Sequence, residues 1–209
     1  MKRSTYLLAF FGAFTMLCAS VVRGQSRTGV NTWGFVTARY DTRSPASIYT
    51  GYGWHGAFAM AGVLHNTRSG YSELLGGVGA SFRAGAAGNH WLAVATAQSG
   101  RFSCAQIYWL PTVRTGFVTT RAQVKWTVAY KGSAPQKLGI SPLSMTMPVW
   151  RRMAGGVAVD VSATEGARTS VSAGPELRLR LPRAGIGADA LRDVTGTGSR
   201  LRLFFASMF

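Results

Sequence analysis

Between Ser170 and Leu181 every second residue is apolar or small. Val171, Ala173, Pro175, Leu177, Leu179 and Leu181 stand on one side, and Ser170, Ser172, Gly174, Glu176, Arg178 and Arg180 on the other. Successive side chains of an extended strand point to opposite faces, so this spacing predicts a strand with one greasy and one charged face. The same split recurs at Val157, Val159 and Val161 against Ala158, Asp160 and Ser162, and at Val124, Trp126, Val128 and Tyr130 against Gln123, Lys125 and Thr127. Weaker alternation covers Val30 to Tyr40, Trp54 to Leu64, Leu74 to Phe82, Trp91 to Gln98, Ser103 to Val113 and Leu143 to Val149, and a last run covers Arg200 to Phe209. Soluble strands average about five or six residues, whereas a tilted strand needs roughly 9 to 11 to cross a bilayer, and these runs approach the second length. Lipid tolerates no open sheet edge. The pattern therefore predicts an all-β fold, an antiparallel up-and-down transmembrane barrel of about ten strands, with eight or twelve also compatible.

Ten strands with the N-terminus in the periplasm put the odd-numbered connections outside. The two longest, Asp41 to Tyr52 and Pro182 to Ser199, are the first and ninth and fall there. Ser99-Gly100, Thr164-Glu165-Gly166 and the longer Lys131 to Lys137 fall on the periplasmic side, where such barrels keep short turns. Pro111, Pro142, Pro148 and Pro175 lie in or near strands and require bulges or strand ends, since a closed barrel has no edge that spares a missing N–H. Trp33, Trp54, Trp91, Tyr108, Trp109, Trp126, Tyr130 and Trp150 lie near strand ends, and partial aromatic girdles are expected from them.

Residues 1–24 read as an export signal, with basic Lys2 and Arg3, an apolar run from Tyr6 to Leu17, and the small residue Gly24 at the cleavage point. That run is about a dozen residues, short of the roughly 20 that a membrane helix needs. Residues 25–209 then form one barrel domain. Cys18 leaves with the signal, and bulky Leu17 stands where lipid attachment wants a small residue. Cys104 remains without a disulfide partner and is expected to be a packing residue. Without Lys2, Arg3 and Arg23 the 23 basic residues become 20 against 7 acidic ones, a formal charge of about +13. Anionic partners follow, and for an exported protein these are outer-membrane lipid and lipopolysaccharide phosphates, not nucleic acid. A G+C-rich genome would also produce the arginine excess.

The segment Arg200 to Phe209 resembles the C-terminal signal of Gram-negative outer-membrane β-barrel proteins, with Leu201, Leu203, Phe205 and Phe209 at the alternate apolar and terminal aromatic positions. Ser207 departs from the pattern, and the match covers ten residues. The resemblance implies recognition by the barrel-assembly machinery.

The inner face collects Lys125, Asp160, Glu176, Arg178, Arg180, Arg200 and Arg202 as a lumen charge cluster. Opposite charges there can pair across a narrow lumen and plug it, or the arginine excess can favour small anions. Lipid A deacylases and the outer-membrane phospholipase, which this chain resembles in architecture, place His and Ser two residues apart on one strand face. His55, His65 and His90 are not followed two positions later by serine. No catalytic, metal or cofactor site is expected: the histidines are scattered, and Gly76-Gly77-Val78-Gly79 lacks the Gly-Lys-Ser/Thr ending of a phosphate loop. The expected role is a non-enzymatic envelope-structural or surface-contact barrel, with contacts made by the first and last outside loops. The alternatives are a narrow anion-preferring pore and a soluble secreted all-β module that binds acidic polysaccharide.

Overall fold

The alternating runs become strands whose apolar faces all point away from a common axis. The computed structural model describes residues 32–43, 45–66, 69–85, 88–99, 103–131 and 136–209. Its strands are β1 (Thr32–Asp41), β2 (Ala46–Trp54), β3 (Ala57–Asn66), β4 (Tyr71–Ala84), β5 (Gly88–Gln98), β6 (Ser103–Thr115), β7 (Val118–Lys131), β8 (Lys137–Trp150), β9 (Met153–Thr164), β10 (Ser170–Arg180), β11 (Ala184–Asp193) and β12 (Ser199–Met208). Each strand pairs antiparallel with its sequence neighbours, and β1 pairs with β12, so the sheet closes into a barrel. The export signal expected over residues 1–24, with Cys18, lies outside the described residues.

The barrel has twelve strands, the upper of the counts the alternation allowed and not the favoured ten. The two extra strands, β2 and β11, occupy the segments expected to be the long connections Asp41 to Tyr52 and Pro182 to Ser199. Neither shows a sharp contrast between faces. On β2, Ser47, Tyr49, Gly51 and Gly53 share one face, and Ile48, Thr50, Tyr52 and Trp54 the other. On β11, Gly185, Gly187, Asp189, Leu191 and Asp193 share one face, and Ala184, Ile186, Ala188, Ala190 and Arg192 the other. A missed strand reverses the side of every connection after it, and the second miss restores it. The strand ends that flank Ser99-Gly100, Thr164-Glu165-Gly166 and Lys131 to Lys137 therefore lie at the end that also carries 42–45 and 194–198, opposite to the end at which β1 begins and β12 finishes. This corrects their expected side. The connections at the terminal end span two or three residues and those at the far end four or five. The first and last connections are 42–45 and 194–198, four and five residues long, where long loops were expected.

The outer wall is apolar. Leu74 and Val78 are each 65 % exposed, Val157 54 % and Leu177 48 %. Soluble monomers rarely expose contiguous apolar patches beyond a few hundred Å², whereas a lipid-facing barrel needs a continuous band. Trp54, Trp109, Trp126, Tyr130 and Trp150 are exposed, as the girdle expectation has it. Trp33, Trp91 and Tyr108 are not; they point into the lumen, a second correction.

Prolines mark the irregularities. The β8–β9 register shifts between Ile140 and Leu143, spanning Pro142, and between Pro148 and Trp150. Pro111 has no pairing partner on β7, and Pro175 none on β11. Each proline thus sits where one neighbouring ladder is already interrupted.

The barrel seam closes on the final residue. Gly34 and Phe209 exchange backbone hydrogen bonds of 2.7 and 3.0 Å, and the Phe209 ring lies where a Cβ on Gly34 would stand, 2.1 Å from its nearest ring carbon. An aromatic ring laid over a glycine on the neighbouring strand restores the packing that the glycine lacks.

Candidate functional site: the lumen

Alternation leaves the second face of every strand for the barrel interior, and the sequence divides that interior into two unlike halves. Strands β1 to β6 line one side with aromatic and small residues. Near the terminal end, Trp33, Phe35, Phe58 and Trp91 form one cluster, with the Trp33–Trp91 ring centroids 4.9 Å apart and Phe35–Trp91 5.1 Å apart. Gly79, from the glycine-rich stretch, lies beneath the Phe58 ring, where a Cβ would come within 2.3 Å. Close packing is therefore what Gly77 and Gly79 serve, while a Cβ on Gly76 would meet nothing within 4 Å. Cys104 is fully buried on this side beside Ala97, and Gln106 Nε2 stands 3.5 Å from its sulfur. Glu73 accepts hydrogen bonds from Gln106 Nε2 and from the Tyr71 hydroxyl, each at 2.6 Å. Lys125 sits over the Tyr108 ring at 5.3 Å.

Strands β7 to β12, with the far end of β1, line the other side with charge. Six of the seven acidic residues occupy lumen-facing positions: Asp41, Glu73, Asp160, Glu176, Asp189 and Asp193. They serve as internal counter-charges instead of solubilising an exterior. Arg202, 1 % exposed, donates through Nη2 to Asp189 at 2.5 Å and through Nη1 to both oxygens of Asp160 at 2.8 and 2.7 Å. Arg200 reaches the same Asp160 at 2.5 Å and Asp41 at 3.6 Å. Arg39 donates to Ser141 Oγ on β8 at 3.1 Å. Four strands separate β1 from β8 along the shorter way round the sheet, so this contact crosses the lumen. Ser141 also donates to Asp160 at 2.7 Å and accepts from Arg202 at 3.1 Å. The result is a strut of three arginines and three aspartates across the far half of the barrel.

Of the expected cluster, the fold gathers Asp160, Arg200 and Arg202 into this strut. Glu176 and Arg178 form a separate pair nearer the terminal end, and Arg180 stands beyond them at the rim. Lys125 joins neither group and packs on the opposite wall. Sequence reading missed Arg39, Asp41, Asp189, Glu73 and Arg121. Asp41 and Asp189 fell in segments taken as connections, and Glu73 and Arg121 lie just before the expected starts of their strands. Continuing the alternation one period past each apolar run would have included Asp41, Glu73 and Arg121.

Arg178 owes its place to a row across three strands. It pairs with Gly187 on β11, which pairs with Phe204 on β12. A Cβ on Gly187 would lie 2.1 Å from the Phe204 ring, so glycine alone lets the ring lie flat and meet the Arg178 guanidinium at 4.4 Å. Cation–π contact of this kind fixes the direction in which a guanidinium points.

Histidine and serine do meet on the outer wall, though not along one strand. His65 Nδ1 lies 2.8 Å from Ser72 Oγ across β3 and β4. A nucleophilic serine needs its base held by a third group, and among the described residues no carboxylate bonds His65. His55 lies in the β2–β3 turn, and His90 stacks between Phe82 and Trp109.

These features define a class of structure: a closed twelve-stranded antiparallel barrel with an apolar exterior and a charged lumen. Solved porins share the barrel fold. The chain superposes on the KdgM porin with a TM-score of 0.58 at 7% sequence identity, covering 84% of this chain and 99% of that one. A structure of the KdgM porin in complex with disordered oligogalacturonate gives a TM-score of 0.59 over the same shares at the same identity. The NanC porin gives 0.56 at 9% identity over 83% of this chain and 98% of that one. At these identities the likeness is one of fold. No protein-family model matches the sequence, and no curated protein matches it either.

Proposed function

We propose that this chain is a non-enzymatic β-barrel of the Gram-negative outer membrane whose closed lumen serves envelope integrity. The observation that carries this reading is the strut: Arg39 of β1 meets Ser141 of β8 across the lumen, inside a network in which Arg202 and Asp189 are each 1 % exposed. A barrel that spends its carboxylates on cross-lumen ion pairs is braced more than it is opened. The apolar outer wall and the porin fold support the location. In this reading residues 1–24 direct export, the barrel-assembly machinery reads Leu201, Leu203, Phe205 and Phe209, and the termini face the periplasm. Exposed arginines then meet the phosphates of lipopolysaccharide and membrane lipid.

Extraction only by detergent, with heat-modifiable mobility on a gel, is the outcome expected of such a barrel; recovery in the soluble periplasm would overturn it. In planar bilayers the purified barrel should give flat current traces, and a steady open conductance would refute the closed lumen.

A narrow anion-preferring pore is the second reading. It is favoured by Arg121, Arg178 and Arg180, which face the terminal half of the lumen against the single carboxylate of Glu176. If current is seen, replacing Arg178 and Arg180 by alanine should shift the reversal potential toward cations. An unchanged value would remove these residues from the pathway.

A further inference from the structure

Below the strut, toward the terminal end, the charge balance of the lumen shifts from even to positive. Arg121 of β7 and Arg178 of β10 both reach toward β8, the second across β9, whose lumen-facing residues there are Gly156 and Ala158. On β9 the floor between them is bare of any side chain longer than a methyl: a Cβ on Gly156 would meet the Met145 carbonyl oxygen at 1.9 Å, and Ala158 lies covered by its neighbours. Arg121 Nη1 donates to Thr146 Oγ1 at 3.2 Å, while Arg178 Nη2 reaches Ser144 Oγ at 3.5 Å. Arg180 is close enough to Arg121 for their charges to repel, as is Arg178. Glu176, paired with Arg178, is the one carboxylate facing this group. Three guanidinium groups against one carboxylate leave an excess of about two positive charges. Like charges converging on a bare floor are unfavourable unless an anion neutralises them.

We propose that Arg121, Arg178 and Arg180 form a binding site for a soluble divalent oxyanion of the phosphate class, with the Ser144 and Thr146 hydroxyls beside it. Guanidinium forks match the oxygens of a tetrahedral oxyanion and bind it through paired charge-assisted hydrogen bonds. The Phe204 ring and Gly187 hold Arg178 in the required direction. Access is from the terminal end. Arg83, Arg114, Arg151, Arg152 and Arg183 are exposed on its strand ends and turns, and no acidic residue lies there. A rim of one sign of charge concentrates counter-ions at a mouth. The site rests on the reading of these positions as lumen, and it stands whether or not the lumen conducts.

The test uses the full mature barrel in detergent, with inorganic phosphate as probe and chloride at matched ionic strength as control. Phosphate should raise the thermal unfolding midpoint in a saturable way that chloride does not reproduce. Arg121→Gln should weaken phosphate binding about tenfold or more, and without phosphate it should unfold no lower than the wild type, because it relieves like-charge repulsion. Arg180→Gln, at an exposed position, should also weaken binding and guards against misfolding of the first variant. Arg192→Gln, outward-facing at the far end, should change nothing. Equal shifts in phosphate and chloride, or unaltered binding in both Arg121→Gln and Arg180→Gln, would overturn the proposal. Flat current traces with phosphate binding intact would end the pore reading and leave the site standing.

Discussion

Arg202 shows what one residue carries in this barrel. Its guanidinium joins Asp160 and Asp189, and all three side chains are nearly or wholly withdrawn from solvent. Charges in that setting are tolerable only in company: breaking a buried pair by removing one partner costs about 3–5 kcal/mol, because the survivor keeps its desolvation penalty. Arg202→Ala removes the ion-pair partner of buried Asp189 and leaves Asp160 to Arg200 and Ser141. A loss of stability of that order is expected, seen as unfolding at markedly lower temperature or denaturant concentration. Arg43, whose pair with Asp193 is 2.8 Å but whose side chain is 43 % exposed, provides the contrast. Exposed pairs contribute about 0–1 kcal/mol, so Arg43→Ala should leave the melting curve nearly unchanged. Equal losses in the two variants would show that the strut does not brace the barrel.

At the level of elements, β2 and β11 decide the layout. With both present, the 165–169 and 194–198 connections lie at the same end of the barrel. A ten-stranded arrangement places the first of these at the opposite end from the second. An epitope inserted at residue 167 and one at residue 196 should therefore be reached by antibody from the same side of intact cells. Accessibility from opposite sides would contradict the twelve-stranded order. The clearest of the ten recognised strands were legible because they set apolar residues against polar ones at a period of two, as Leu177 and Leu179 do against Glu176 and Arg178. The other two were not, because periodicity is visible only where the two faces differ in polarity. Tyr49 faces inward and Tyr52 outward on β2, and on β11 Gly187 faces inward and Ala188 outward. These residues tell the two sides of the wall apart only once both sides exist.

For the whole molecule the solvent is inverted. Apolar side chains cover the outside, and the polar and ionic contacts are inside, so substitutions should obey the reverse of the soluble rule. Leu177→Arg on the outer wall of β10 should destabilise the barrel in lipid by about 2–4 kcal/mol if its depth is near the bilayer midplane. Arginine one residue later, at Arg178, already points into the lumen and is accommodated there by Glu176 and the Phe204 ring. Refolding into vesicles followed by denaturant titration measures the difference. A neutral Leu177→Arg would mean that this wall does not face lipid.

Period-two alternation and strand length were enough by themselves to predict a closed antiparallel barrel with an apolar exterior. Those are properties of each strand taken alone, fixed by the pleat and by the rule that lipid leaves no backbone group unpaired. Strand count, the side on which each connection lies, and which charges meet were decided only by closure. Arg39 and Ser141 are far apart in sequence and on nearly opposite walls, yet 3.1 Å apart across the lumen. Arg121 and Arg178 likewise reach neighbouring hydroxyls of β8 only when β7 to β10 curve around the lumen. Curvature brings together faces that no local pattern relates, and in a barrel it is the inner face that curvature concentrates.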